Sequence, residues 1–138
     1  MNTRDTTTGA RFEQVVNLAH RHRGAIDLSK HKLYAYMKEQ GIDWREAISS
    51  KLLPDEAYLD GDKLYVYEKK YQCVTGSADE KLQTCGFKVA QFRKIAELLG
   101  AEEVEYIYIL SDWFKQPKYK DVLAYINNTP DCWYEFES

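Results

Sequence analysis

The run Val104–Leu110 constrains this chain most. It is nearly continuous in Tyr and Ile and shows no alternation of polar and apolar positions. A strand of that texture is buried on both faces and belongs inside a sheet. Ser77 and Glu80 stand at capping-box spacing and predict a long helix upstream of it. The helix buries Leu82, Cys85, Val89, Phe92, Ala96 and Leu99 and stops at Gly100. Residues 118–127 read as another helix and Cys132–Phe136 as a last short strand.

Ahead of that helix, Ala57-Tyr58-Leu59 reads as a strand, Asp60-Gly61 as a hairpin turn signal and Lys63–Gln72 as the return strand. The first 53 residues have a helical texture. A helix is predicted from Gly9 to Arg23 on the stripe Phe12, Val15, Val16 and Ala19, with residues 1–8 as a flexible arm. A second is predicted over 29–40 with Ser29 as N-cap, and a short third over 43–50 behind Asp43. No strand is legible between 25 and 53. The chain reads as one domain over 1–138: a helical region to 53, then hairpin, helix, strand, helix and strand from 54. The expected fold is α/β (α+β), a single mixed sheet with flanking helices.

No apolar run approaches ~20 residues, so no membrane-spanning helix is expected, and Met1–Arg11 lacks the apolar block of a signal peptide. Cys73, Cys85 and Cys132 are odd in number and widely spaced, which suits a reducing cytoplasm better than a disulfide framework. The net charge of −3 excludes a uniformly basic nucleic-acid coat. The total hides an asymmetry: bases outnumber acids in residues 1–53, and acids outnumber bases in 54–138.

The hairpin carries the chemistry. Strand side chains alternate faces, so Glu68, Lys70 and Gln72 share one face with Leu64 and Val66, while Lys69 and Tyr71 point to the other. Charges that follow an apolar stretch are costly unless paired or bound to a metal. A two-residue loop at Asp60-Gly61 makes Asp55 the diagonal neighbour of Glu68. A loop at Gly61-Asp62 places it directly opposite. A three-residue loop would put the two carboxylates on opposite faces. Two carboxylates and a lysine on one face suit a hard, oxygen-ligated cation such as Mg²⁺, with Mn²⁺ able to substitute.

Pro54-Asp55, twelve intervening residues and then Glu68-Lys69-Lys70 resembles the PD-(D/E)XK nuclease superfamily, the restriction-endonuclease-like fold. Gln72, two residues on, fits an extension of that pattern. Gly9-Ala10-Arg11-Phe12-Glu13 is similar to the family's first helix, and Gly76 to Leu82 to the segment after its catalytic strand. The resemblance spans about residues 9 to 114. It implies that Asp55 and Glu68 ligate the metal, that Lys70 positions the attacking water, that Gln72 orients the site and that Glu13 lies at its edge. The implied reaction is hydrolysis of DNA phosphodiester bonds. The family core usually has a strand ahead of the Asp strand, and none is legible here.

Each of these residues also has a plainer reading. Glu68 and Lys70 could be a solvated ion pair, Asp55 a turn cap, Glu13 an exposed helix residue and Gln72 a strand end. Ser77, Lys81, Arg93 and Lys69 are the expected nucleic-acid contacts, Ser77 at the helix start, Lys81 and Arg93, with Lys88, on its exposed side, and Lys69 on the return strand. His20-Arg21-His22-Arg23 reads as a basic helix end. The expected function is a restriction-type endonuclease acting on double-stranded or branched DNA. One site per chain implies a homodimer for cutting both strands. A junction-resolving or repair nuclease, an RNA nuclease, and a non-catalytic DNA-binding module on the same fold are the alternatives.

Overall fold

The Tyr/Ile run takes an interior place in the sheet of the computed structural model, which describes residues 11–72 and 78–137. Five strands, β1 (Ile26–Asp27), β2 (Glu56–Asp60), β3 (Lys63–Lys70), β4 (Glu103–Leu110) and β5 (Cys132–Phe136), lie in the order β1-β2-β3-β4-β5. The first two pairings are antiparallel and the last two parallel, so the sheet is mixed. The α-helices are α1 (Lys32–Glu39), α2 (Ala78–Leu82), α3 (Cys85–Leu98) and α4 (Lys120–Asn128). The fold is α/β, one sheet with flanking helices.

Of the two registers open to the hairpin, the structure takes the one with Gly61-Asp62 in the loop. Asp60 pairs with Lys63 and Glu56 with Tyr67. Gly61 turns the chain at φ +66°, a conformation that glycine reaches without strain.

Alternation along the strands then sorts two cores. Leu64 and Val66 of β3, with Val104, Tyr106, Tyr108 and Leu110 of β4, join the larger cluster. Helix α3 adds Cys85, Val89, Phe92, Ile95 and Ala96, α1 adds Leu33, Tyr34 and Met37, and α4 adds Ile126. Tyr67, Ile107 and Ile109 face the other way and are covered by Val16 and Leu18 of the N-terminal segment. The β4 run is unpatterned because both of its faces are buried.

The helical region before Pro54 differs from expectation, and local side chains account for it. Residues 11–15 are helical, but the predicted helix to Arg23 ends there and resumes only as a 3₁₀ turn, Ala19–Arg21. Asn17 Oδ1 accepts the Ala19 N–H at 2.8 Å, and Glu56 Oε1 accepts the Leu18 N–H at 2.9 Å. Those donors are thereby withdrawn from any helical ladder. Val15, expected inward, is exposed instead, whereas Leu18 is buried. A short strand, β1, does occur ahead of the Asp55 segment, pairing Ile26 with Leu59. It lasts two residues because the Asp27 carboxylate turns back to the Ser29 N–H at 3.0 Å and the Lys32 ammonium at 2.8 Å. Ser29 does not cap α1; its hydroxyl accepts the Ala57 N–H at 3.1 Å. The helix predicted over 43–50 is one 3₁₀ turn, Trp44–Glu46, capped by Asp43 as expected.

Downstream, the predicted long helix is interrupted between α2 and α3, where the Thr84 hydroxyl donates to the Lys81 carbonyl at 2.7 Å. Its apolar stripe is buried as predicted apart from Leu99, which is partly buried. Gly100 ends it at φ +79°. Among the described residues no helix is long and apolar enough to cross a membrane. The arm 1–8 lies outside the described residues.

Candidate functional site

Extending the hairpin register one pair beyond Glu56 and Tyr67 sets Asp55 directly opposite Glu68 on one face of the sheet. Asp55 is fixed there from two sides. Its Oδ2 accepts the Lys69 backbone N–H at 2.8 Å, and its Oδ1 accepts from the Lys30 ammonium at 2.8 Å. Lys30 also reaches Glu13 Oε1 at 3.4 Å, so Glu13 is tied to Asp55 through a shared cation.

Glu68 is partly covered and packed against β4, whose Tyr108 is its register partner. Burial, and after it the negative charge of Asp55, pushes the Glu68 carboxyl up to about 7. Lys70, the Asp55 backbone N–H and Lys30 pull it down without cancelling that rise.

Glu68 and Lys70 open into a cleft of about 400 Å³, whose lining also includes Lys81, Lys88, Tyr106 and Tyr108. Three ammonium groups thus line a cavity that holds one carboxylate. Lys81 sits in α2 and Lys88 in α3, on the helix pair predicted to face a phosphate. Burial, and then the nearby Glu68, raises the Tyr106 hydroxyl far above the usual phenol range, so it stays a neutral donor.

The remaining expected site residues separate. Lys69, expected among the nucleic-acid contacts, lies outside the cleft lining. It points to the opposite face, 5% exposed, where its ammonium pairs with Glu56 at 2.5 Å and donates to the Glu13 carbonyl at 2.8 Å. Glu56 in turn accepts from Tyr58 Oη at 2.5 Å and from the Leu18 N–H, so this buried network clamps the N-terminal segment to the sheet. Arg93 lies outside the cleft lining, committed to Asp131 at 3.0 Å and to the Pro130 carbonyl at 3.0 Å. Gln72 is buried and donates to Tyr119 Oη at 3.5 Å, outside the cleft lining; it supports the end of β3 rather than the carboxylate pair. Ser77 lies outside the described residues. The basic run 20–23 also resolves into structure. Arg21 forks onto Glu135 at 2.7 and 2.8 Å, and His22 is buried on Tyr58, its Nε2 2.6 Å from Tyr67 Oη.

Sequence reasoning missed Lys30, Tyr106 and Tyr108 as site residues. The two tyrosines carried a signal: they recur at period two inside β4, on the face of Glu68. Lys30 carried none, because its place depends on the return of β1 to β2. Its backbone sits at φ +51°, which costs a non-glycine residue roughly 1–2 kcal/mol.

Among the described residues no group of three or more His, Cys, Asp or Glu side chains is placed to hold a metal ion. Asp55 and Glu68 supply two hard carboxylates on one face. That is the usual protein share for Mg²⁺, which keeps water and substrate phosphate as its other ligands. The chemistry of that donor set fits such an ion. Comparison with family models, with curated proteins and with solved structures gave no match to this chain.

Proposed function

We propose that this chain is a Mg²⁺-dependent DNA endonuclease of the PD-(D/E)XK type, acting as a homodimer. The observation that carries the reading is the direct opposition of Asp55 and Glu68, with Lys70 on the same face at the mouth of a lysine-lined cleft. Asp55 and Glu68 are the residues that would hold a divalent ion, which would supply Lewis-acid stabilisation of a phosphodiester transition state and a more acidic water. The chain's own residues do the rest. Lys70, two residues along β3 from Glu68 and on the same cleft, is the group placed to hold the attacking water. Lys81 and Lys88 bind the flanking phosphate and offset its charge. The β3–β4 sheet backs the cleft and fixes these groups on rigid strands.

Cys85 and Cys132 are buried free thiols, in keeping with work in the reducing cytoplasm. One carboxylate pair per chain calls for two chains to cut both strands. Restriction-type cleavage of duplex DNA is the leading subclass, and the substrate panel separates it from cutting at branches.

The test is plasmid nicking and linearisation with Mg²⁺, Mn²⁺ or EDTA, beside four-way junction and single-stranded RNA substrates. Metal-dependent cutting that Asp55→Ala and Lys70→Ala each reduce at least 100-fold is the expected result. Discrete bands from a linear duplex mark a restriction-type enzyme, and preference for the junction marks a resolvase. Binding without cutting under every metal condition, or equal cutting by the two variants, overturns the nuclease reading.

A further inference from the structure

Lys30 stands at the candidate metal site without having been part of the motif that led there. It lies on the connection between β1 and α1, with its backbone in the left-handed region at φ +51°. Two contacts pin that backbone to the Asp55 segment. The Lys30 N–H donates to the Pro54 carbonyl at 2.8 Å, and the neighbouring Ser29 hydroxyl accepts the Ala57 N–H at 3.1 Å. The ammonium is thereby aimed at Asp55. Asp55 has one oxygen, Oδ2, committed to the Lys69 N–H, so Oδ1 is the oxygen left for a cation, and Lys30 Nζ stands 2.8 Å from it. The same ammonium reaches Glu13 Oε1 at 3.4 Å, so it lies between two carboxylates. The Lys30 side chain is 49% exposed, so it can swing into solvent without unpacking the core.

We propose that Lys30 is a tethered counter-cation that occupies the Asp55 carboxylate and must be displaced when a divalent ion binds. It sets the metal concentration at which the site loads, and it holds Asp55 and Glu13 together until then. The inference rests on the metal-dependent reading above. It makes Lys30 a positioning residue for Asp55, acting on metal occupancy. Its backbone conformation offers a clean variant, because Lys30→Gly removes the ammonium while relieving the left-handed strain. Lys30→Arg keeps the charge.

The experiment is calorimetric titration of the full chain, stripped of metal, with Mn²⁺ at pH 7.5, with plasmid cleavage measured in parallel. Lys30→Gly is expected to bind Mn²⁺ about tenfold more tightly than the parent, and Lys30→Arg to stay within about threefold of it. Asp55→Asn is expected to lose the binding. The melting temperature of Lys30→Gly should also rise more on Mn²⁺ addition than the parent's does. Equal or weaker Mn²⁺ binding by Lys30→Gly overturns the proposal, as does equal tightening in Lys30→Arg. If that happens while the parent still cuts DNA with metal, the nuclease reading stands and only the role of Lys30 fails. If neither parent nor Lys30→Gly binds Mn²⁺ and no substrate is cut, the nuclease reading fails and takes the counter-cation with it.

Discussion

Glu68→Gln separates an electrostatic site from a merely structural strand. Glu68 titrates near 7 in the folded chain, against an ordinary value of 4.5. Its proton is therefore held more tightly by the folded than by the unfolded state. Between pH 4.5 and 7 the folded chain keeps a proton that the unfolded chain has released, so stability falls as pH rises. The contribution is fully present below about pH 4.5 and lost as pH rises through 7. At ~1.36 kcal/mol per pH unit, the rise from 4.5 to about 7 is worth about 3 kcal/mol. Glutamine mimics the neutral acid at every pH and has no such slope. In urea unfolding with EDTA present, Glu68→Gln should match the parent near pH 4.5, apart from a constant offset. By pH 8 it should have gained about 3 kcal/mol relative to the parent, or roughly 10 °C in melting temperature for a chain of this length. With EDTA omitted, Mn²⁺ at 1,000 times its Kd should reverse the order, since it adds about 4.1 kcal/mol to whichever protein binds it. A parent–variant difference that stays flat from pH 5 to 8 refutes the reasoning.

Lys69→Met leaves Glu56 charged, buried and unpaired, and should cost about 3–5 kcal/mol in urea unfolding, with the double change Glu56→Leu/Lys69→Met recovering much of it. Gly61→Ala should cost about 1 kcal/mol at the hairpin. No atom lies within 4 Å of the added Cβ, so the loss comes from φ +66° alone, and Gly61→Asn should lose less. Arg93→Ala removes a surface pair and should cost under ~1 kcal/mol with DNA binding unchanged, whereas Lys81→Ala should weaken DNA binding severalfold in a fluorescence anisotropy titration.

The part of the fold after Pro54 was legible because its signals are local and periodic. Gly61, the period-two β3 and the 3.6-period stripe of α3 each act over a few residues, and all three lie where they were read. The Asp55–Glu68 pairing was legible to within one register, and the loop at Gly61-Asp62 decided it. Residues 11–53 were less legible because long-range partners end their helices. The Leu18 N–H goes to Glu56, 38 positions away, and the Ser29 hydroxyl is used by Ala57 rather than by α1. No local propensity contains those partners. The same distance explains Arg93 and His22. Their charge or ring marked them as exposed helix residues, and their partners, Asp131 for one and Tyr58 and Tyr67 for the other, come from remote strands and loops.

Three consecutive charges, Glu68-Lys69-Lys70, look redundant in sequence and serve two sides of one strand in space. Glu68 and Lys70 face the cleft. Lys69 faces the other core, where its buried pair with Glu56 and its bond to the Glu13 carbonyl hold the N-terminal segment down. Its backbone N–H meanwhile holds Asp55 Oδ2. Position 69 thus ties the two sides together: the side chain sets where Glu13 lies, and the main chain sets where Asp55 lies. Glu13 and Asp55 are also the two acids that Lys30 spans. A shift of β3 by one residue would carry Lys69 into the cleft and Glu68 into the opposite core, breaking the carboxylate pair and the Glu56 pair at once. That coupling penalises register slippage heavily, so the geometry of the candidate site and the stability of the N-terminal segment stand or fall on the same register.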